Sequence, residues 1–239
     1  IIKKILAGLS LGLLMTSSVS NATPVTFFDT ITSGQASFTS TVTGTGASVS
    51  SETLSGLSGG NTWNFGDFSI ASTDGANSSI YSASTDGSTG QMIGINPQNP
   101  IDQSGITFTF ASAINALGFE VGDWGTCCHP SSLFIAFDGG STQLVGTADS
   151  YSDNPAVAAG LSQDAFFIGA IDDTSTFTTI TFYGDGLGEF LTAGGTIMYS
   201  AVDIGSVGGT VPEPSSIALL MLGIAGFGFA KKKNKEKKQ

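Results

Sequence analysis

Ile106-Thr-Phe-Thr-Phe-Ala-Ser-Ala-Ile-Asn-Ala-Leu-Gly-Phe-Glu-Val-Gly-Asp123 sets the architecture of this chain. Its first five residues alternate between apolar and hydroxyl side chains. Successive side chains of a β-strand point to opposite faces, so Ile106, Phe108 and Phe110 share one face. The run therefore predicts a strand with its apolar face on a core, followed by a second strand over Ala116–Val121.

The rest of the body repeats this pattern of short strands separated by turn residues. Phe177-Thr-Thr-Ile-Thr-Phe-Tyr183 alternates from Ile180 to Phe182, and Asp138-Gly139 between two apolar runs predicts a hairpin. Long helical patterns are absent, and roughly 10–12 short strands predict a single all-β domain, a β-sandwich or jelly roll. The predicted strands are Val25–Phe28, Ala36–Val49, Trp63–Ala71, Ser79–Ser84, Gln91–Ile95, Ile106–Phe110, Ala116–Val121, Leu133–Phe137, Gln143–Thr147, Ala165–Ile171, Thr178–Phe182 and Thr196–Val202.

Both ends differ in composition from this body. Lys3 and Lys4, the apolar run Ile5–Met15 and small residues up to Ala22 have the three parts of a secretory signal peptide, with cleavage expected after Ala22. Gly205–Thr210 is glycine-rich and predicts a flexible linker. We expect four segments: a signal peptide (1–22), a β-sandwich ectodomain (23–204), the linker (205–210) and a tail (211–239).

The tail places a proline-flanked motif, an apolar run and a cationic cluster in that order. Pro212-Glu213-Pro214 should be extended and unpaired, because proline fixes φ and lacks a backbone donor. The apolar run Ile217–Ala230 has 14 residues. As a helix it would span about 21 Å, less than the hydrocarbon core of ~30 Å. We expect a single short transmembrane helix, with Lys231-Lys232-Lys233 on its cytoplasmic flank.

The distribution of charged residues also separates the two ends from the body of the chain. All 8 cationic side chains are lysines at the two ends, and none lies between Thr23 and Ala230. Of the 19 acidic residues, all but Glu236 lie in that span. The body therefore forms no Lys or Arg ion pair and has no basic patch for nucleic acid or anionic lipid. We expect no nucleic acid partner.

With its Pro212-Glu213-Pro214 motif, apolar run and lysine cluster, the tail resembles the PEP-CTERM sorting signal of Gram-negative bacteria. The resemblance implies a substrate of exosortase, a membrane cysteine transpeptidase, exported with the help of signal peptidase. It also implies a transient inner-membrane intermediate and cleavage near the motif, whose residues are substrate features and not catalytic ones. The tail departs from the usual form because its cations are all lysine, where arginine is common.

The body more loosely resembles the β-rich ectodomains found upstream of PEP-CTERM tails. The resemblance rests on the 106–123 run and on Phe166-Phe-Ile-Gly-Ala-Ile-Asp172 followed by Phe177–Phe182. It implies a jelly-roll-like secreted domain with no assigned activity.

Candidate chemistry centres on Cys127-Cys128-His129, in a loop between two predicted strands. Neighbouring cysteines can close a vicinal disulfide, and an oxidising compartment favours it. The geometry is unusual, because adjacent Cα atoms lie ~3.8 Å apart whereas ordinary bridges span about 5.5–6 Å. The alternatives are free or intermolecular thiols, a metal site and a catalytic cysteine. His129 is the only histidine, so it is the single candidate base of that type.

Two further features indicate ligand binding. Trp124 lies in a polar loop beside the cysteine pair and is a candidate for stacking on sugar rings, with core packing as the alternative. Asp185-Gly-Leu-Gly-Glu189 is a glycine-rich acidic loop whose oxygens could bind Ca²⁺, with solvated turn acids as the alternative. No other cofactor is expected. The remaining candidates for sugar stacking are Trp63, Tyr81, Tyr151, Tyr183 and Tyr199.

Together these features predict an exported, non-catalytic protein of the cell surface or of an exopolysaccharide or biofilm matrix. One alternative is a lectin-like carbohydrate-binding module that uses Ca²⁺. A weaker alternative is a polysaccharide hydrolase, which would need two facing carboxylates. The expected partners are exosortase and signal peptidase during export, the inner membrane transiently, and extracellular polysaccharide afterwards.

Overall fold

A computed structural model describes residues 24–96, 105–138, 140, 142–184 and 190–207. The predicted signal peptide, the PEP motif, the apolar run and the lysine cluster lie outside the described residues, as do Asp185 and Glu189. Within the described part of the chain, no helix is long and apolar enough to cross a membrane.

The described residues fold mainly into strands. Among the described residues the helices are α1 (Ile31–Gly44), α2 (Ala83–Asp86) and α3 (Pro155–Ala158), and a 3-10 turn lies at Tyr151–Asp153. The strands are β1 (Val25–Thr30), β2 (Ser50–Thr53), β3 (Thr62–Asn64), β4 (Phe68–Ser72), β5 (Ile80–Tyr81), β6 (Met92–Ile95), β7 (Gly105–Ile114), β8 (Ala116–Gly122), β9 (Ser131–Phe137), β10 (Thr142–Ala148), β11 (Phe166–Ile171), β12 (Phe177–Gly184) and β13 (Leu191–Ser200).

These strands form two antiparallel sheets. The seven-stranded sheet has the order β1-β11-β8-β13-β6-β5, with β2 also paired to β13. The six-stranded sheet has the order β10-β9-β12-β7-β4-β3. The predicted hairpin around Asp138-Gly139 is confirmed, because β9 and β10 pair with Ala136 opposite Thr142. The predicted all-β, sandwich-like architecture is confirmed as well.

The core lies between the two sheets. Ile106, Phe108 and Phe110 are buried, at 0, 0 and 4 % exposure, as the alternation in the 106–123 run predicts. Phe119 of β8 faces them from the other sheet, with its ring 5.2 Å from that of Phe108 and 5.0 Å from that of Phe182. This aromatic contact joins the two layers and fixes which face of each strand is internal.

Helix α1 contradicts the predicted strand Ala36–Val49. Gly34, Phe38 and Val42 recur every four residues and are buried on one face of the helix. Phe38 packs against the rings of Phe27 and Phe167 on the outer surface of the seven-stranded sheet. Serine and threonine are weak helix formers, but burial of this stripe outweighs that low propensity. The helix thereby covers one sheet from outside.

Three other boundaries differ from the sequence-based expectation. The predicted strand Trp63–Ala71 is the hairpin of β3 and β4, whose turn is closed by a bond from Phe65 N to Phe68 O of 2.8 Å. Of the predicted strand Ser79–Ser84, only the two residues of β5 are in a strand, and helix α2 begins at Ala83. The predicted flexible linker starts in packed structure, because Val207 is buried and its N–H donates to Asp173 Oδ2 at 2.6 Å.

Candidate functional site

Trp124 is buried, as its core-packing alternative predicts, and its ring is not exposed for stacking on sugars. Its side chain is 0 % exposed, and its indole N–H donates to Ser131 Oγ at 2.9 Å. The ring packs edge-on against Phe28 and tilted against Phe166. The left-handed backbone of Asp123, with φ 55°, follows β8 and lets the next side chain turn back into the core. Trp124 is therefore a core residue beneath the loop.

The loop after Trp124 carries the cysteine pair on its surface. The sulfur atoms of Cys127 and Cys128 are bonded to each other, and residues 126–130 are exposed. Nε2 of His129 lies 2.8 Å from the Gly125 carbonyl oxygen. Among the described residues, no group of three His, Cys, Asp or Glu side chains is placed to hold a metal ion. A disulfide is not a thiolate, so this arrangement favours neither the metal nor the catalytic alternative.

Two buried carboxylates are held by backbone and hydroxyl donors. Asp172 Oδ1 accepts from Thr174 N at 3.2 Å and from Thr174 Oγ1 at 2.6 Å. Asp173 Oδ2 accepts from Val207 N. Both aspartates are buried. These bonds fix the end of β11 and the segment after β13, so both carboxylates contribute to the structure of the domain.

Glu120 is the most fully enclosed glutamate of the described chain, at 0 % exposure. Its Oε1 accepts from Gln35 Nε2 at 3.1 Å, from Thr196 N at 3.2 Å and from Thr89 Oγ1 at 2.5 Å. Its Oε2 accepts from Thr89 N at 2.7 Å. The carboxylate thereby joins α1, β13 and the segment before β6 to the centre of the seven-stranded sheet. Sequence reasoning missed this network because its donors lie 31 to 85 residues away.

An open groove of about 540 Å³ lies beside the end of β7 and contains Tyr199. The Tyr199 hydroxyl donates to Asp67 Oδ2 at 2.8 Å. Burial raises the pKa of Tyr199 to about 12, together with the hydrogen bond and charge of Asp67 and the charge of Glu52. The walls also contain the small residues Ser112 and Ala113. A polar wall with two aromatic rings, those of Tyr199 and Phe110, is suited to a small hydroxylated ligand.

A shallower depression lies on the other side of Asp67. Its volume is about 240 Å³, and it is lined by Phe65, Phe68 and Phe110. The rings of Phe65 and Phe68 stack at 4.8 Å. Asp67 thus separates an aromatic depression from the Tyr199 groove, and the two share both Asp67 and Phe110.

The other aromatic candidates are dispersed over the domain. Tyr183 lies on the six-stranded sheet and stacks on Phe134 with ring centres 5.4 Å apart. Tyr81 lines a depression of about 200 Å³ that also contains Asp123. Tyr151 is 43 % exposed on the 3-10 turn. Trp63 is a core residue whose indole N–H donates to Ser58 O at 2.8 Å.

Comparisons with solved structures find proteins of low sequence identity and low structural similarity. A family 29 carbohydrate-binding module is 16 % identical, covers 66 % of this chain and 91 % of its own, and has a TM-score of 0.37. A mutant of the CBM29-2 module is 14 % identical, covers 66 % of this chain and 95 % of its own, and has a TM-score of 0.36. An exo-β-1,3-galactanase from Phanerochaete chrysosporium is 16 % identical over 64 % of this chain and 29 % of its own, with a TM-score of 0.25. These TM-scores establish neither a common fold nor a common ligand.

Comparisons of sequence are informative only for the tail. No curated protein matches the chain. Residues 210–233 match the family model described as the PEP-CTERM protein-sorting motif. The match includes Pro212-Glu213-Pro214, Ile217–Ala230 and Lys231-Lys232-Lys233, and it confirms the resemblance found in the sequence. The chain therefore carries a PEP-CTERM protein-sorting motif, which implies processing by an exosortase.

Proposed function

We propose that this chain is an exported, non-catalytic protein that exosortase delivers to the cell surface or extracellular matrix of a Gram-negative bacterium. The observation that carries the proposal is the PEP-CTERM motif at residues 210–233. In this proposal the signal peptide (1–22) starts export and Ile217–Ala230 holds the chain in the inner membrane. Exosortase then cuts near Pro212-Glu213-Pro214, and the sandwich domain is released or attached to another molecule.

A non-catalytic role fits the buried carboxylates of the described domain, although Asp123 and Asp164 together line a depression of about 200 Å³. A glycoside hydrolase needs two carboxylates that face a common cleft. Here the buried carboxylates of Glu120, Asp172 and Asp173 accept structural hydrogen bonds from the chain itself. The domain has no lysine or arginine, so its enclosed charges are balanced by hydroxyl and amide donors.

The intact mass of the protein from its native host tests the proposal, with an exosortase deletion strain beside it. We expect the host to yield a chain beginning near Thr23 and ending near Val211–Pro214, with added mass if another molecule is attached. The deletion strain should retain Lys231–Gln239. Replacing both prolines of the motif with alanine should reproduce the deletion, whereas Ser216→Ala should be processed normally. A chain that keeps Lys231–Gln239 in both strains would overturn the proposal.

A second candidate function, carbohydrate binding, is favoured by the Tyr199 groove. The groove combines two aromatic rings, a carboxylate and small hydroxyl side chains in an open space of about 540 Å³, and such groups recognise sugars. Titration calorimetry with short neutral oligosaccharides, with and without a calcium chelator, tests this function. Binding should be lost on Tyr199→Ala and Asp67→Ala and kept on Leu161→Ala, which changes an exposed residue outside the groove. Oligosaccharide binding that survives both groove variants would exclude the groove as the site.

A further inference from the structure

The outer face of the six-stranded sheet differs from that of its partner. Helix α1 packs on β1, β11 and β8 and so covers the seven-stranded sheet from outside. In the six-stranded sheet, β12, β9 and β4 alternate between buried residues and residues that keep solvent exposure. These outward side chains form a surface of their own, and the strand register fixes its pattern.

One row of this surface crosses all six strands. Direct cross-strand pairing aligns small and hydroxyl side chains. Thr107 Oγ1 and Thr181 Oγ1 lie 3.2 Å apart within it. Neighbouring members are separated by the strand spacing of about 4.8 Å. We call this the hydroxyl row; its members are Thr62, Ala71, Thr107, Thr181, Ala136 and Thr142.

A second row runs beside the first on β12, β9 and β10. Tyr183 pairs with Phe134, and Phe134 pairs with Leu144. The two rings are stacked with an interplanar angle of 20°, and Leu144 is 54 % exposed. We call these three residues the apolar row. Each lies two positions along its strand from a member of the hydroxyl row, so the rows are about 6.7 Å apart.

Charge is missing from both rows, although the body is otherwise acidic. The nine residues of the rows are threonine, alanine, tyrosine, phenylalanine and leucine. An anionic polymer would be repelled by the net negative charge of the body, which has acidic residues and no lysine or arginine. A neutral polymer meets no such barrier. Threonine hydroxyls both donate and accept, and the apolar row can pack against C–H groups.

We infer that the hydroxyl row and the apolar row together bind an extended chain of a neutral polysaccharide. The polymer lies across the strands, with the apolar faces of its sugar rings on Tyr183, Phe134 and Leu144. Its hydroxyl groups bond to Thr181, Thr107 and Thr142. The strand spacing is close to the length of one sugar residue along such a chain, so successive sugars meet successive strands. This inference rests on the carbohydrate-binding candidate but places the polymer on a surface other than the Tyr199 groove, and it does not depend on the sorting motif.

Affinity electrophoresis of the folded protein tests the inference. The probes are hydroxyethylcellulose and glucomannan as neutral polymers, with alginate as the anionic control. We expect retardation by a neutral polymer, none by alginate, and little change with salt or a calcium chelator. Tyr183→Ala should weaken binding roughly ten-fold, the equivalent of about 1.4 kcal/mol. Thr181→Glu should abolish binding by placing a charge in the hydroxyl row. Leu161→Ala is the matched control and should bind normally, because Leu161 is as exposed as Leu144 but lies outside both rows.

The outcomes separate this inference from the proposals above. No retardation by either neutral polymer would overturn it, as would normal binding by both Tyr183→Ala and Thr181→Glu. Binding lost in Tyr199→Ala but kept in both row variants would place the polymer in the Tyr199 groove and also overturn the inference. Circular dichroism of each variant checks that it is folded. Correct sorting with no polymer binding would leave the export proposal intact.

Discussion

Thr89 bonds to both oxygens of the Glu120 carboxylate. Its backbone N–H donates to Oε2 at 2.7 Å and its hydroxyl donates to Oε1 at 2.5 Å. Glu120 is fully buried, and the body of the chain contains no lysine or arginine to pair with it. Thr89 Oγ1 also lies 2.6 Å from Thr196 Oγ1, so the carboxylate is linked to a short hydroxyl chain that reaches the surface.

Thr89→Val should therefore destabilise the domain despite the similar shape of the two side chains. It removes one charge-assisted hydrogen bond and leaves the backbone donor, a loss of about 1.5–3 kcal/mol in the free energy of unfolding. Urea unfolding at neutral pH measures the change. Thr62→Val at an exposed strand position should stay within about 0.5 kcal/mol of the parent. Equal stability of the two variants would show that the hydroxyl of Thr89 does not support Glu120.

Trp124→Ala should unfold or severely weaken the domain, because the ring fills the core beside Phe28 and Phe166. Truncating a buried tryptophan costs about 3–5 kcal/mol. Ser131→Ala keeps the ring but removes the acceptor of its N–H, at a cost of about 1–3 kcal/mol. Denaturant unfolding of both variants gives the comparison. A Trp124→Ala variant as stable as the parent would contradict the buried position.

The sequence was sufficient where side-chain alternation alone determines structure. Ile106, Phe108 and Phe110 are buried because a strand in a two-layer fold has one internal face. The alternation of apolar and polar side chains predicts which face that is. Helix α1 could not be found in the same way. Its residues have weak helix propensity, and its apolar stripe has meaning only once Phe27 and Phe167 provide a surface to cover.

The candidate sites show the same limit. Trp124 is flanked by polar residues in the sequence, and only the left-handed backbone at Asp123 turns it inward. The donors to Glu120 come from three segments that are distant in the sequence, so no local motif predicts this hydrogen-bond network. The hydroxyl row could be predicted only in part. The alternation in sequence places Thr107 and Thr181 on the outward faces of their strands, but their contact depends on the pairing of β7 with β12.

Replacing both cysteines with serine should change stability little. The Cys127–Cys128 bond joins neighbours in the sequence, so it closes almost no loop and hardly restricts the unfolded chain. Both residues are exposed, and exposed substitutions usually stay within about 0.5 kcal/mol. Urea unfolding of the double variant, and of the parent with and without reductant, measures this. A loss above about 2 kcal/mol would mean that the loop supports the core beneath it.

Tyr199 should make the domain sensitive to alkaline pH. Burial and the neighbouring Asp67 and Glu52 raise the pKa of Tyr199 to about 12 in the folded chain, against about 10 in an unfolded one. The folded state therefore holds this proton more tightly. The resulting stability is fully present below pH ~10 and is lost as pH rises through the folded pKa, because the unfolded chain ionises first.

Tyr199→Phe should reduce the fall in the free energy of unfolding at alkaline pH, because phenylalanine keeps the ring and has no proton to release. Asp67→Asn should have a smaller effect, since it removes a neighbouring charge but leaves burial in place. Urea midpoints of the three proteins, measured from neutral pH to about pH 11, separate these cases. Tyrosinate absorbance of the folded parent should show a late-titrating tyrosine that is absent from Tyr199→Phe. If the parent and Tyr199→Phe lose stability in parallel, the alkaline sensitivity comes from repulsion among the acidic residues and not from Tyr199.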